Sequence, residues 1–157
     1  MNVLLYQRAK LATVEAAANT EAFDTRLDSL EATEEIGLTA GRLSIALTAN
    51  ADGSETDTTE NLPAGCIVRE VTLEVTTAEA TGGTKTLNTG IAVGETGGDA
   101  DGFHAAQSCA ATGIFPGGGA LVGTALATTA VSVVTTAASA DWAEFVGVLH
   151  IDYDVAD

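Results

Sequence analysis

The sequence is poor in positive charge. Across 157 residues, six Lys and Arg stand against twenty-two Asp and Glu, for a formal net charge of −16. Self-repulsion of that size favours solubility. It also excludes DNA or RNA binding through a basic face, because phosphate contacts need Lys and Arg to displace counterions. Aromatic residues are scarce too: one Trp, two Tyr and four Phe. The core must therefore come from Ala, Val, Leu, Ile and Thr, which suit close-packed β structure with many turns better than a large helical bundle. No apolar run approaches the ~20 residues of a membrane span, so no membrane partner is expected. The short run Val3-Leu4-Leu5-Tyr6 lacks the basic region that precedes the apolar part of a secretory signal, so export by that signal is not expected. Cys66 and Cys109 make no framework. A disulfide between them stays open, and buried free thiols are the stronger reading.

What is present is unevenly placed. Residues 1–20 carry Arg8 and Lys10 against Glu15, a balance of +1, and residues 21–157 carry −17. A weakly basic, apolar start on an acidic body reads as an attachment end. An acidic exterior of this kind suits a protein outside cells in salty water, where screening acts within a Debye length of about 10 Å or less; an acidic cytosolic protein is the alternative.

Residues 1–36 are expected to be helical, in one or two pieces. Leu11, Val14 and Ala18 fall at helical spacing, and Phe23, Leu27 and Leu30 repeat it. Asn19-Thr20 separates the two, with Thr20 or Asp24 as N-cap candidates. The seams are too short for an isolated coiled coil. They are expected to pack on the same chain, on symmetry mates or on a larger partner. The candidate docking and oligomer surface is Leu4, Leu5, Tyr6, Arg8, Leu11, Val14, Phe23, Leu27 and Leu30.

From residue 37 to 157 the pattern changes to strands and turns. "GRLSIALTA" alternates Leu43, Ile45 and Leu47 on one face, and "NADGSETDTTENLPAG" follows as a polar loop. "CIVREVTLEVTTA" places Ile67, Arg69, Val71, Leu73 and Val75 on one face, with Arg69 the exception. "EATGGTK" reads as a hairpin, and "TLNTGIAVG" as its returning strand, with Leu87, Thr89, Ile91 and Val93 in alternation. "LVGTAL" and "AVSVVTT" read as two more strands, with a turn near Ala127 to Ala130. The last strand alternates Phe145, Gly147, Leu149, Ile151 and Tyr153. Six to eight strands with frequent turn signals predict a mainly β chain, an antiparallel β-sandwich of jelly-roll type behind an N-terminal helical segment.

The stretch most in need of a reading is Gly94 to Phe103, "GETGGDADGF". A calcium site would use Asp99, Asp101 and Glu95, but the spacing breaks at Gly102 and leaves two ligands in pattern. A phosphate cradle would need a Lys that is absent, and the acids would repel the anion. The third reading, a turn in which glycines take positive φ and Asp side chains cap local amides, is favoured. "NADGSETD", with Asn50, Asp52 and Asp57, reads as a solvated connection in the same way. His104, Ser108 and Cys109 invite a nucleophile reading, yet no nucleophile elbow surrounds them. His150 has no ligand partner at fixed spacing. The expectation is of no catalytic residue, no cofactor and no metal site. "GIFPGGGALVG", residues 113–123, reads as a wide bend. Trp142 is expected in the core, with an interface anchor or sugar platform as the other reading.

The run "LPAGCIVREVTLEVTTAEATGGTKTLNTGIAVGETGGDADGFHAA", residues 62–106, resembles a strand–hairpin–strand pattern of virion proteins from tailed bacteriophages. It covers about a third of the chain. The resemblance implies a capsid decoration or head-fibre component: jelly-roll-like, oligomeric and without catalytic residues. It further implies a place on the outer surface of the virion, with the major capsid protein or another virion protein as partner. A homotrimer suits a particle with three-fold positions. The other reading is a receptor- or carbohydrate-binding module of a tail fibre or cell surface, with Trp142, Tyr153 and the acidic loops as a calcium-dependent site.

Overall fold

The computed structural model describes residues 38–48, 54–81, 83–139 and 142–156. The helical segment expected over residues 1–36 lies outside them. Eight strands are described: β1 (Leu38–Thr48), β2 (Glu55–Leu62), β3 (Ile67–Thr77), β4 (Thr86–Ile91), β5 (His104–Ser108), β6 (Gly113–Pro116), β7 (Val131–Ala137) and β8 (Val146–Ala156). They form two four-stranded sheets, in the orders β1-β8-β3-β6 and β2-β7-β4-β5, and every pair is antiparallel. The chain is mainly β, and the two sheets pack as a sandwich.

The pairing is nested: β1 with β8, β2 with β7, β3 with β6 and β4 with β5. The chain thus doubles back on itself as one long ladder. That ladder is then rolled, so that β8 also meets β3 and β7 also meets β4.

Side-chain alternation explains how the layers close. On the first sheet three apolar rows run across β1, β8 and β3: Leu43, Ile151, Val71; then Ile45, Leu149, Leu73; then Leu47, Gly147, Val75. On the second sheet the rows are Leu87–Ala137, Thr89–Thr135 and Ile91–Val133. Leu73, Leu149, Ile151, Val133 and Ile91 are buried between the layers. Burial of one such aliphatic side chain contributes ~1.5–3 kcal/mol, so the rows outweigh any surface contact in holding the sheets together.

Several expectations are corrected. The stretch read as a polar loop holds β2, whose only buried residue is Leu62. An edge strand held by backbone pairing needs no apolar alternation. "EATGGTK" is not a hairpin: β3 and β4 lie in opposite sheets, and the chain crosses from one to the other between them. "LVGTAL" is not a strand. Turns from Gly119 to Val122 and Leu121 to Thr124, with Gly123 at φ 84, curl it into a loop. Leu121, Val122 and Leu126 pack on the core from there. In β3 a register shift between Val68 and Glu70 puts Arg69 in a bulge, exposed, while Val68 and Val71 both turn inward. One extra residue resets the alternation. β4 ends at Ile91, so Val93 faces solvent instead of the core.

Candidate functional site

The loops gather at the two ends of the sandwich. At one end, where β1 begins beside the end of β8, lie residues 63–66, 92–103 and 117–130. "GETGGDADGF" is therefore a connection between β4 and β5. It folds back along its own strand: the amide of Ile91 donates to the carbonyl of Asp99 at 2.8 Å, and that of Phe103 to Thr89 at 2.9 Å. Glycine is demanded by close approach. A Cβ on Gly90 would lie 2.0 Å from the Asp99 carbonyl oxygen, and one on Gly98 would lie 1.9 Å from that of Ala92. Gly97 takes φ 74. The Asp101 amide donates to Asp99 Oδ1 at 3.3 Å, an Asx turn. A side-chain hydrogen bond with Asp99, and then that residue's charge, raise the Asp101 carboxyl above its ordinary value. Among the described residues no group of three or more His, Cys, Asp or Glu gathers around the pair.

β5 starts at His104, which is buried. Its Nε2 lies 3.1 Å from the carbonyl oxygen of Phe115 on β6, and its Nδ1 lies 2.9 Å from Thr89 Oγ1 on β4. A carbonyl only accepts, so Nε2 carries the proton and Nδ1 accepts from the threonine. Burial pushes the imidazole's pKa down, against the pull of the Phe115 carbonyl. The ring thus joins the outermost strands of the two sheets, beside a shallow cleft of about 260 Å³ lined by Gln107, Pro116 and Gly118. Cys109 is elsewhere: its thiol is buried, pushed up to about 12, and faces the Gln107 carbonyl. His104, Ser108 and Cys109 do not form a nucleophile–base set. Cys66 and Cys109 are both free and buried.

At the opposite end the sequence reading missed Glu79, a carboxylate 1 % exposed. Its Oε1 accepts from the amide and hydroxyl of Thr81 at 2.8 and 2.6 Å. Its Oε2 accepts from the amides of Ala143, Glu144 and Phe145 at 3.0, 3.0 and 3.1 Å. Burial alone would raise this carboxyl; the hydrogen bonds win and hold it at about 2. Beside it the Trp142 indole donates to the Thr84 carbonyl at 3.2 Å and packs edge-on against Phe145. The carboxylate pins the β3–β4 arch to the β7–β8 connection.

On the outer face of the first sheet, Arg42 forks onto Asp152 and Arg69 reaches Asp154 at 2.7 Å. His150 lies there too, 3.6 Å from Glu74 and hydrogen-bonded to Ser44. Ile114 and Val146 are exposed nearby. Trp142 is buried, whereas Tyr153 covers Gly41 well along β8. The seven steps along the strand from Val146 to Tyr153 span roughly 24 Å, so the two aromatics do not share a surface. Leu4, Leu5, Tyr6, Arg8, Leu11, Val14, Phe23, Leu27 and Leu30 lie outside the described residues.

No protein-family model and no curated protein sequence matches this chain. Solved structures do. A chain of the cyanophage Pam1 capsid asymmetric unit aligns over 76% of this chain and 85% of its own, with TM-score 0.52 and 22% identity. A chain of the Ralstonia phage GP4 capsid aligns over 74% and 83%, with TM-score 0.55 and 23% identity. A chain of the acidic stable capsid of Helicobacter pylori bacteriophage KHP30 aligns over 77% and 92%, with TM-score 0.55 and 20% identity. The likeness is one of fold, and it spans most of each chain.

Proposed function

We propose that this protein is a structural component of a tailed-phage virion, a capsid decoration or head-fibre protein without catalytic activity. The observation that carries the reading is the fold shared with chains from three phage capsids. The strand orders β1-β8-β3-β6 and β2-β7-β4-β5 support a jelly roll, eight strands in two wrapped sheets. Residues 1–36 dock on the major capsid protein or another virion protein, and the acidic domain projects from the outer surface. A trimer suits three-fold positions on such a particle. Several weak contacts acting together then give firm attachment.

The test is immunogold electron microscopy of particles from the source, with antibody raised against residues 40–157. Gold over the heads is expected. Gold on tails alone would overturn the capsid placement, and unlabelled particles would overturn the virion reading.

A further inference from the structure

Two open sheets have four edge strands, and here they are β1, β6, β2 and β5. An unguarded edge offers backbone donors and acceptors to any extended chain, so folded proteins blunt such edges with bulges, charges, proline or brevity. Three of the four are blunted. β2 carries a register shift between Asp57 and Asn61, with Thr59 at φ 65, and it exposes Glu55, Asp57 and Glu60. β5 has five residues and is bulged at Ala106, φ 50, whose amide is taken by Asn88 Oδ1 at 2.6 Å. β6 has four residues and ends at Pro116.

β1 has none of these guards. Its 11 residues pair with β8 without a shift, and it contains no proline. Its one charge, Arg42, is already held by Asp152. Among the described residues, Ala40–Thr48 has no strand on its second side. The inward row Leu43, Ile45 and Leu47 ends there, with Leu43 only partly buried.

We infer that the open edge of β1 is a β-augmentation site for an extended, basic segment of another protein. Charge selects this occupant. The side of the sandwich that β1 shares with β2 displays Glu55, Asp57 and Glu60. Residues 38–157 hold fifteen acids and three bases, so a second copy would bring the same acids to the same side. An alternating strand answers both needs, with apolar residues extending the Leu43–Ile45–Leu47 row and Lys or Arg on its other face. The inference concerns the domain's own edge and stands apart from the assignment to a virus particle.

The probe is an octapeptide alternating valine and lysine, with a valine–glutamate octapeptide as counterpart, added to the full chain. Hydrogen exchange followed by mass spectrometry reads the site, and calorimetry reads affinity at two salt concentrations. The lysine peptide is expected to protect amides within residues 40–47 and to weaken as salt rises. The double variant Ser44→Lys, Ala46→Lys, both exposed positions, should lose about tenfold or more in affinity. Equal binding of the glutamate peptide, protection confined to other strands, or no binding of either peptide would overturn the inference. So would protection of β1 that rises with protein concentration in the absence of peptide, since that would make the occupant a second copy.

Discussion

Glu79 is one acid among twenty-two, and nothing in its sequence neighbourhood sets it apart. In the fold it accepts five hydrogen bonds, three of them from amides that precede β8. Removing its charge leaves those amides facing a weaker acceptor or a clashing donor, the costly kind of loss for a buried group. Glu79→Gln should lower the melting temperature at neutral pH by roughly 10 °C. The pH dependence separates charge from shape. The carboxyl titrates at about 2 in the folded chain and near 4.3 when unfolded. Its contribution is therefore complete above the unfolded value and is lost as pH falls through the folded one. The gap in melting temperature between native chain and variant should narrow from pH 5 to pH 2. A gap that stays constant across that range would mean the charge contributes nothing.

At the scale of elements, alternation was readable wherever a strand is half-buried. Leu43, Ile45 and Leu47 in β1, and Phe145 to Tyr153 leading through β8, face inward as their spacing predicts. The other three edge strands were not readable: β2 is polar on both faces, and β5 and β6 are too short to show a period. A bulge such as that at Arg69 leaves no mark in composition, yet it reverses every side chain beyond it. Glu79 gave no signal at all, because an acid stands out only when its partners are known. Gly90 did carry one. A lone glycine inside the strand pattern "TLNTGI" signals a close backbone approach, and here the approach is the turn at Asp99. Gly90→Ala should push that turn away and break the bond from the Ile91 amide to Asp99. A destabilisation of about 1–3 kcal/mol in denaturant titration is expected, with faster exchange at the Ile91 amide. An unchanged midpoint would show that the loop rests on the strand without constraining it.

For the whole molecule, the question is how a chain of net charge −16 stays folded. Arg42–Asp152 and Arg69–Asp154 are exposed on the arginine side, and surface pairs of this kind contribute ~0–1 kcal/mol each. The remaining acids of the domain far outnumber its bases, and their mutual repulsion opposes the compact state. Salt acts on both terms in opposite directions. From 0.01 M to 1 M the Debye length shrinks from about 30 Å to about 3 Å. Repulsion among acids spread over the surface is screened away first, because those separations are long. The ion pairs, at 2.5 and 2.7 Å, lie within even the shortest of these lengths. The melting temperature should therefore rise by several degrees as sodium chloride is added, steeply below about 0.15 M and flattening before 1 M. A continued linear rise would point to salt exclusion from apolar surface instead of screening. A fall would mean that the two arginine pairs contribute more than the repulsion among the acids takes away.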